Sequence, residues 1–571
     1  MISQRFSSQT SLQLWTVFAA VTAILISAPV LCVFSSLFTL FDTGNLQQTD
    51  SQQVTSQQVW QHLVETVLPE YILNSLILMI GVGIGVLVIG VGTAWLVTLC
   101  QFPGSRWLEW ALLLPLAAPA YILAYVYTEY LEFYGPVQTT LRNWFGWSQV
   151  EDYWFPDIRS IGGAILLLSL TLYPYVYLLT RVSFLEQSAR TLEASRSLGC
   201  NPWRSFVSVA LPLARPAITT GLALCLMETL NDFGTVQFFG VDTFTTGIYR
   251  TWFGMGEQVA AAQLASILML FILGLILLEL WSRRQARYYQ GSTRFQALKP
   301  FQLKGIRGIL AFFACSIPLV LGLLLPGGLL LKMTLENLNT LFDSRFRDFA
   351  SHSFILATVA AICAVIISLG LAYGARLNPN LSLRVSKRIA ALGYAVPGSV
   401  IAVGILIPVG RLDNAIDSFM RATFGISTGL LLSGTIAALV FAYLVRFLAV
   451  SLGSIESSLS KIKPSLDEAS ASLGHNAVST LVQIHAPMMV GGLLTAAMLT
   501  FVDVMKELPA TLVIRPFNFD TLAIRVYNLA ADERLAEAAG PALAIVMMGM
   551  IPVMILSWRI ARSRQVSSTE F

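Results

Sequence analysis

The chain has 571 residues, 55% of them hydrophobic and only 12% charged, about half the charged share of an ordinary globular protein. That composition excludes a soluble domain of this length and points to a polytopic membrane protein. The formal net charge of +4 is too small to argue for a nucleic-acid partner.

The first apolar run, about Leu14 to Leu40, follows a short polar start. It is longer than a signal-peptide core and shows no small-residue cleavage site, so it reads as a retained first span. In chain order, twelve runs of about 20 apolar residues are expected as spans. They centre near Ala23, Val86, Pro119, Leu168, Leu222, Leu270, Leu319, Ala364, Gly398, Ala438, Ala496 and Met548. With the N-terminus taken as cytoplasmic, 23 basic residues fall in inside segments and 12 in outside loops, Arg446 in the tenth run being the remaining one. The excess lies where the positive-inside rule places it, and both termini are then cytoplasmic. The stretch Arg283 to Arg307 has seven basic residues and no acid, and reads as a cytoplasmic connector, 283–308, between two halves, 1–282 and 309–571. The cysteines (Cys32, Cys100, Cys200, Cys225, Cys315 and Cys363) are scattered and read as small buried hydrophobes.

The segment "EASRSLGCNPWRSFVSVALPLARPAI", Glu193 to Ile218, returns 275 residues later as "EASASLGHNAVSTLVQIHAPMMVGGL". Nine of its 26 positions are identical without a gap, among them Glu193/Glu468, Ala194/Ala469, Gly199/Gly474, Asn201/Asn476 and Pro212/Pro487. Downstream, Phe244/Phe519, Thr246/Thr521 and Arg250/Arg525 align at the same shift, while Asn74-Ser75 matches His352-Ser353 and Pro119 matches Pro397 at a shift of 278. The chain is therefore an internal duplication. Six spans separate equivalent points, and an even number gives parallel repeats rather than inverted ones. The fold expected is an all-α polytopic membrane protein of about twelve transmembrane helices in two parallel six-helix repeats. Each copy of the motif, within 186–216 and 456–488, starts with Glu at a helix N-terminus, where the macrodipole favours it. Gly199 or Gly474 then breaks the helix, with Asn read as part of the stop. Such a short helix suits a socket on another protein.

This pattern resembles the coupling-loop signature of permease subunits of bacterial ATP-binding-cassette importers, with Ser195 and Ser470 where the family usually has Ala. The resemblance covers nearly the whole chain as two fused permease halves. It implies docking through Glu193, Ala194, Gly199, Pro212, Glu468, Ala469, Gly474 and Pro487. It also implies two separate ATPase subunits, because the chain has no G-x-x-x-x-G-K-[ST] phosphate cradle and the dipeptide Gly-Lys never occurs. ATP is then used by the partners, and the chain is expected to bind no cofactor and to be no enzyme. Lipid and a periplasmic substrate-binding protein are its other expected partners.

Both fifth spans of the halves end in acids, Glu228 with Asp232 and Asp503 with Glu507. Residues four apart share a helix face, and charge at membrane depth marks a pathway or a partner. The four are candidate translocation-path residues for a cation; the alternative is a gate or packing role, with Lys506 pairing Glu507. Arg250 and Arg525 are candidates for docking the binding protein or for snorkelling to headgroups, with Trp252 and Tyr527 in an interfacial belt. His62, His352, His475 and His485 show no ligand-like spacing, so no stable metal site is expected, and His475 and His485 are expected as solvated or docking residues. The stretches Tyr173 to Ser188, Glu228 to Glu257 and Lys461 to Gly474 resemble the fused permeases of ferric-iron importers of the bacterial inner membrane. Importers for thiamine, polyamine or phosphonate, and more remotely an ion-driven secondary transporter, are the rival readings.

Overall fold

In a computed structural model the chain is described over residues 2–41, 51–186, 199, 201–284, 301–338, 344–378 and 380–569. It is almost entirely helical. The first repeat runs α1 (Ile2–Phe41), α2 (Ser51–Thr66), α3 (Leu68–Leu99), β1 (Cys100–Gln101), α4 (Ser105–Ala111), α5 (Ala120–Leu131), α6 (Pro136–Phe145), α7 (Ile161–Glu186), α8 (Pro202–Ser205), α9 (Leu211–Asn231), α10 (Gly234–Phe238), α11 (Phe244–Tyr249) and α12 (Gln258–Arg284). The second runs β2 (Phe301–Gln302), α13 (Ile306–Leu319), α14 (Leu325–Glu336), α15 (Ser344–Leu377), α16 (Leu381–Leu392), α17 (Gly398–Phe424), α18 (Ile436–Leu459), α19 (Ser465–Ser472), α20 (Ala477–Thr480), α21 (Ala486–Met488), α22 (Val490–Met505), α23 (Pro509–Ile514), α24 (Leu522–Ala531) and α25 (Leu535–Thr569). The strands β1 and β2 pair in parallel over two residues, Cys100 with Phe301 and Gln101 with Gln302.

Among the described residues, ten helices are long and apolar enough to cross a membrane. Two further helix pairs pass that test only together, Ser105–Ala117 with Ala120–Phe145, bent by 90°, and Ala477–Met488 with Val490–Met505, bent by 80°. Counting each bent pair as one crossing gives the twelve expected from sequence. The first bend has a local cause. Pro119 disfavours the helical region for the residue before it, and Ala118 is extended at φ −96°, ψ 114°. Pro397 does the same to Val396, at φ −84°, ψ 125°, before α17. Much of the basic connector, 285–300, lies outside the described residues.

The packing divides the chain differently from the duplication. One compact unit holds 1–61, 248–269 and 342–525; the other holds 62–247, 270–341 and 526–571. In the first, α15, α18 and α22 pack on one another and α1 lies on α16 and α17. The second is built on α3, α7 and α9, with α14 against α25. The expected halves, 1–282 and 309–571, follow the sequence repeat, whereas the compact units follow which helices touch. Lipid offers helices no hydrophobic reason to associate, so close approach of small residues does the work. Gly81 and Gly85, four residues apart on α3, face Ile165 and Ser169 on α7; a Cβ on either would come within 2.5 Å or 2.2 Å of those side chains.

The duplication is written into the contacts. Arg181 on α7 pairs with Glu109 on α4. At the aligned positions Glu456 on α18 pairs with Lys387 on α16, Nζ to Oε1 2.6 Å. The ion pair is kept and its polarity is reversed. Likewise Asn74 Nδ2 donates to the Asp242 carbonyl at 2.9 Å, and His352 Nδ1 lies 3.1 Å from the Asp520 carbonyl.

Candidate functional site

The second copy of the repeated motif is described in full. Asp467 and Glu468 stand in the first turn of α19, where the macrodipole favours acids. Glu468 and Ala469 are exposed, while Ser470 is buried and shares a 2.7 Å hydrogen bond with Thr480 on α20. Gly474 ends α19 in the left-handed region, φ 85°. The Gly474 N–H donates to the Ala471 carbonyl and the His475 N–H to the Ser470 carbonyl, both at 3.1 Å, which is a Schellman motif. The outer face of this turn thus presents Glu468, Ala469 and Gly474 with backbone groups already satisfied. In the first copy Gly199 has the same φ, 83°; Glu193 and Ala194 lie outside the described residues.

The asparagines act differently from the sequence reading. Asn476 starts the next helix rather than stopping the last one: its side chain accepts from the Ser479 N–H at 2.8 Å, and Asn201 accepts from the Arg204 N–H at the same distance. A π-helical turn follows in each copy, Phe206–Ala210 and Leu481–His485, at aligned positions. Pro212 and Pro487 sit just beyond it, in the first turns of α9 and α21. Proline has no N–H to give to the preceding turn, and the wider turn absorbs the mismatch.

His485 is fully buried, not solvated or docking. The chain folds back after the motif, so that His485 Nε2 lies 2.6 Å from Asp467 Oδ1. Arg376, at the end of α15, donates to Asp467 Oδ2 from Nε at 2.8 Å and Nη2 at 2.6 Å. It also donates to the Leu459 and Ile462 carbonyls, at 2.8 Å and 3.0 Å. Arg376, Asp467 and His485 therefore clamp the base of α19 to the membrane helices. Sequence reasoning missed this set, because three residues spread over 110 positions share no spacing signal. His475 is exposed, as expected, with Nδ1 2.8 Å from Ser479 Oγ. The first copy holds its second helix with aromatic rings instead: Trp95 lies 4.8 Å from Phe206 and 5.8 Å from Trp203, and Phe184 lies 6.3 Å from Phe206.

The four acids do not form two helical stripes. α9 ends at Asn231 and α22 at Met505, so Asp232 and Glu507 lie past the helix end and leave the face shared by Glu228 and Asp503. They take up aligned capping roles. Asp232 Oδ1 accepts the Thr235 and Val236 N–H groups, both at 3.1 Å, and Oδ2 accepts the Thr235 hydroxyl. Glu507 Oε1 accepts the Ala510 N–H at 3.2 Å. Glu507 is 5% exposed and meets the buried Arg446, Nη1 to Oε1 3.5 Å. Lys506 pairs with Asp503, at 2.8 Å. A lone arginine in an apolar run is itself a signal of a buried partner, and Arg446 was that signal. Asn231 Nδ2 donates to Glu228 Oε2 at 3.3 Å.

Arg250 and Arg525 are not equivalent. The bonds of Asn74 and His352 to Asp242 and Asp520, and the helix starts at Phe244 and Leu522, put this region in register at 278. Arg250 then aligns with Asn528, Arg525 with Gly247, and Tyr249 with Tyr527. The matches at 275 were chance repeats of Phe and Thr across a three-residue insertion. Arg250 is exposed, whereas the Arg525 guanidinium sits 5.7 Å from the Phe349 ring centre.

The second copy carries a capped helix-glycine-helix element between membrane-crossing helices, and the described part of the first copy repeats its left-handed glycine, asparagine cap and π-helical turn. Residues 86–287 match the family described as the binding-protein-dependent transport system inner membrane component. That match covers 202 of the 571 residues; the chain is similar there to ABC-type, binding-protein-dependent permeases, and its long apolar helices make it a multi-pass membrane protein. It is 28% identical over 495 residues to the Fe(3+)-transport system permease protein FbpB 2 of Haemophilus influenzae, covering 85% of this chain and 89% of that protein. It is 24% identical over 560 residues to the ferric transport system permease protein FbpB of Actinobacillus pleuropneumoniae, covering 94% and 76%. The molybdenum transport system permease protein ModB of Escherichia coli is 27% identical over 208 residues, 35% of this chain and 87% of that protein.

Proposed function

We propose that the chain is the permease of an importer that carries Fe(III) from periplasm to cytoplasm by alternating access. The observation that carries this reading is the similarity along nearly the whole double-length chain to permeases named for ferric iron. The similarity to the molybdenum permease spans only one repeat's length.

In this reading both termini and both coupling loops face the cytoplasm of a bacterial inner membrane. Two ATPase subunits dock, one on Glu193, Ala194, Gly199 and Pro212, the other on Glu468, Ala469, Gly474 and Pro487. The chain binds no cofactor of its own and hydrolyses no ATP; closure of the ATPase pair swings the transmembrane helices between inward-open and outward-open states. A periplasmic Fe(III)-binding protein delivers the cargo, and exposed Arg250 is the better placed of the two arginines to meet it. Glu228, Asp232, Asp503 and Glu507 stand along the route of the ion.

The test is uptake of radiolabelled ferric iron in cells lacking the chain and in cells with it restored. Excess thiamine, putrescine, aminoethylphosphonate and molybdate serve as competitors. Energy-dependent uptake that returns with the chain and ignores all four competitors is expected. No chain-dependent iron uptake, or uptake blocked by a competitor, contradicts the iron reading.

A further inference from the structure

The short helix α16 stands between two membrane-crossing helices, α15 and α17. Asn380 caps its start, its side chain accepting from the Leu383 N–H at 2.9 Å. One face, with Leu383, Ser386 and Ala390, is buried, and the helix packs on α1, α15 and α18. Leu381, Arg384, Val385, Arg388 and Leu392 are exposed, and the helical period gathers them on the opposite face. Leu381 is 72% exposed and Leu392 52%. Its 12 residues are too few to cross a bilayer. Arg384, Lys387 and Arg388, with no acid in the helix, keep it out of the apolar core.

Polar contacts fix the height of this helix. Lys387 pairs with Glu456 in the last turn of α18, Nζ to Oε1 2.6 Å. Arg376, in the last turn of α15, is held by Asp467 at the base of α19 and by the Leu459 and Ile462 carbonyls. The helix α16 therefore lies at the same membrane surface as the repeated motif. Arg376 and Lys387 are matched by acids, while Arg384 and Arg388 put charge on an outer face that is otherwise aliphatic. The aligned helix of the first repeat, α4, has Arg106, Glu109 and Trp110 where α16 has Arg384, Lys387 and Arg388. The side chains of α4 thus sum to no net charge, and those of α16 are all basic where they are charged.

We propose that the exposed face of α16 binds the headgroups of anionic phospholipids, in the second repeat alone. Leu381, Val385 and Leu392 enter the boundary between headgroups and acyl chains, and Arg384 and Arg388 snorkel to the phosphates. A helix facing only water gains nothing from three aliphatic side chains on its outer face. The surface of α16 continues the lipid-facing surface of the helices on either side of it, which places phospholipid against this face before any protein partner. Basic residues at that level, with no acid among them, complement an anionic headgroup layer. The proposal takes only the side of the membrane from the function proposed above: the lipids are those of the cytoplasmic leaflet, beside the Gly474 turn.

The full chain, purified in a neutral detergent, is titrated with phosphatidylglycerol or with phosphatidylcholine, and bound lipid is counted by native mass spectrometry. Phosphatidylglycerol is expected to bind the more tightly. Arg384→Gln together with Arg388→Gln is expected to weaken its binding at least about tenfold, the scale of two basic residues at an anionic surface, and to leave phosphatidylcholine binding unchanged. Arg384→Lys with Arg388→Lys keeps the preference, because the charge is kept. Both arginines are exposed, so thermal unfolding is expected to be the same in all these variants, which separates lipid binding from a structural role. Arg106→Gln, at the position aligned with Arg384, leaves the preference unchanged. No preference in the wild type, a preference that survives the glutamine pair, or an equal loss from Arg106→Gln overturns the site. Displacement of the lipid by millimolar inorganic phosphate also overturns it, in favour of a free-anion site. The assay needs neither cargo nor ATPase. If it fails while ferric uptake still depends on the chain, the iron reading stands without the site; if uptake fails while the lipid binds, the site stands without the iron reading.

Discussion

The two copies of the repeated motif share their backbone features from the glycine onward and differ in what holds them. Both have the left-handed glycine, the asparagine cap, the π-helical turn and the proline at matching positions. Behind the second stands the polar clamp of Arg376, Asp467 and His485. The aligned residues in the first copy are Thr98, Leu192 and Ala210, and there Trp95, Trp203, Phe184 and Phe206 pack together instead. The turn from glycine to proline is kept; the means of fixing it to the membrane helices has drifted. The ion pair Arg181–Glu109, reversed as Glu456–Lys387, shows the same rule: a contact survives duplication while its chemistry changes sides.

The largest effect is expected from that reversed pair. Glu109→Lys sets a second cation against Arg181, which is 3% exposed, and removing one partner of a buried pair costs about 3–5 kcal/mol. Adding Arg181→Glu rebuilds the second copy's polarity in the first, and most of the loss should return, as thermal unfolding in detergent will read. A double variant no more stable than Glu109→Lys breaks the claim that the two pairs are equivalent. A smaller loss is expected from Asp467→Asn, on the order of 2 kcal/mol for the charge-assisted bonds it gives up. Thr98→Val, at the site aligned with Arg376, stays within about 0.5 kcal/mol. Equal losses at the two sites dissolve the contrast between the loops.

The duplication, the helical class and the number of apolar runs were legible because they rest on composition and on spacing longer than any single helix. The two runs that bend are those where proline or a short helix interrupts the apolar pattern, near Pro119 and Met489. Local residue types misled where the chain turns. Asn201 and Asn476 follow a glycine, and only the fold shows that they cap the helix ahead. Glu228 and Asp232 are four apart, but the helix ends between them. Arg250 and Arg525 were matched across an insertion that contacts reveal and spacing hides. His485 is polar in sequence and buried in the fold, because its partner Asp467 lies 18 residues back, across a turn.

The central claim is that both glycine-turned loops couple this permease to its ATPases. The measurement that tests it most directly is ferric uptake by cells carrying Gly199→Asp together with Gly474→Asp, with the membrane content of the chain measured alongside. Positive φ disfavours any side chain at these positions, and an acid also spoils the exposed turn; a Cβ there meets no atom within 4 Å, so the membrane helices are left intact. The account predicts normal insertion and no uptake. Normal insertion with normal uptake contradicts it.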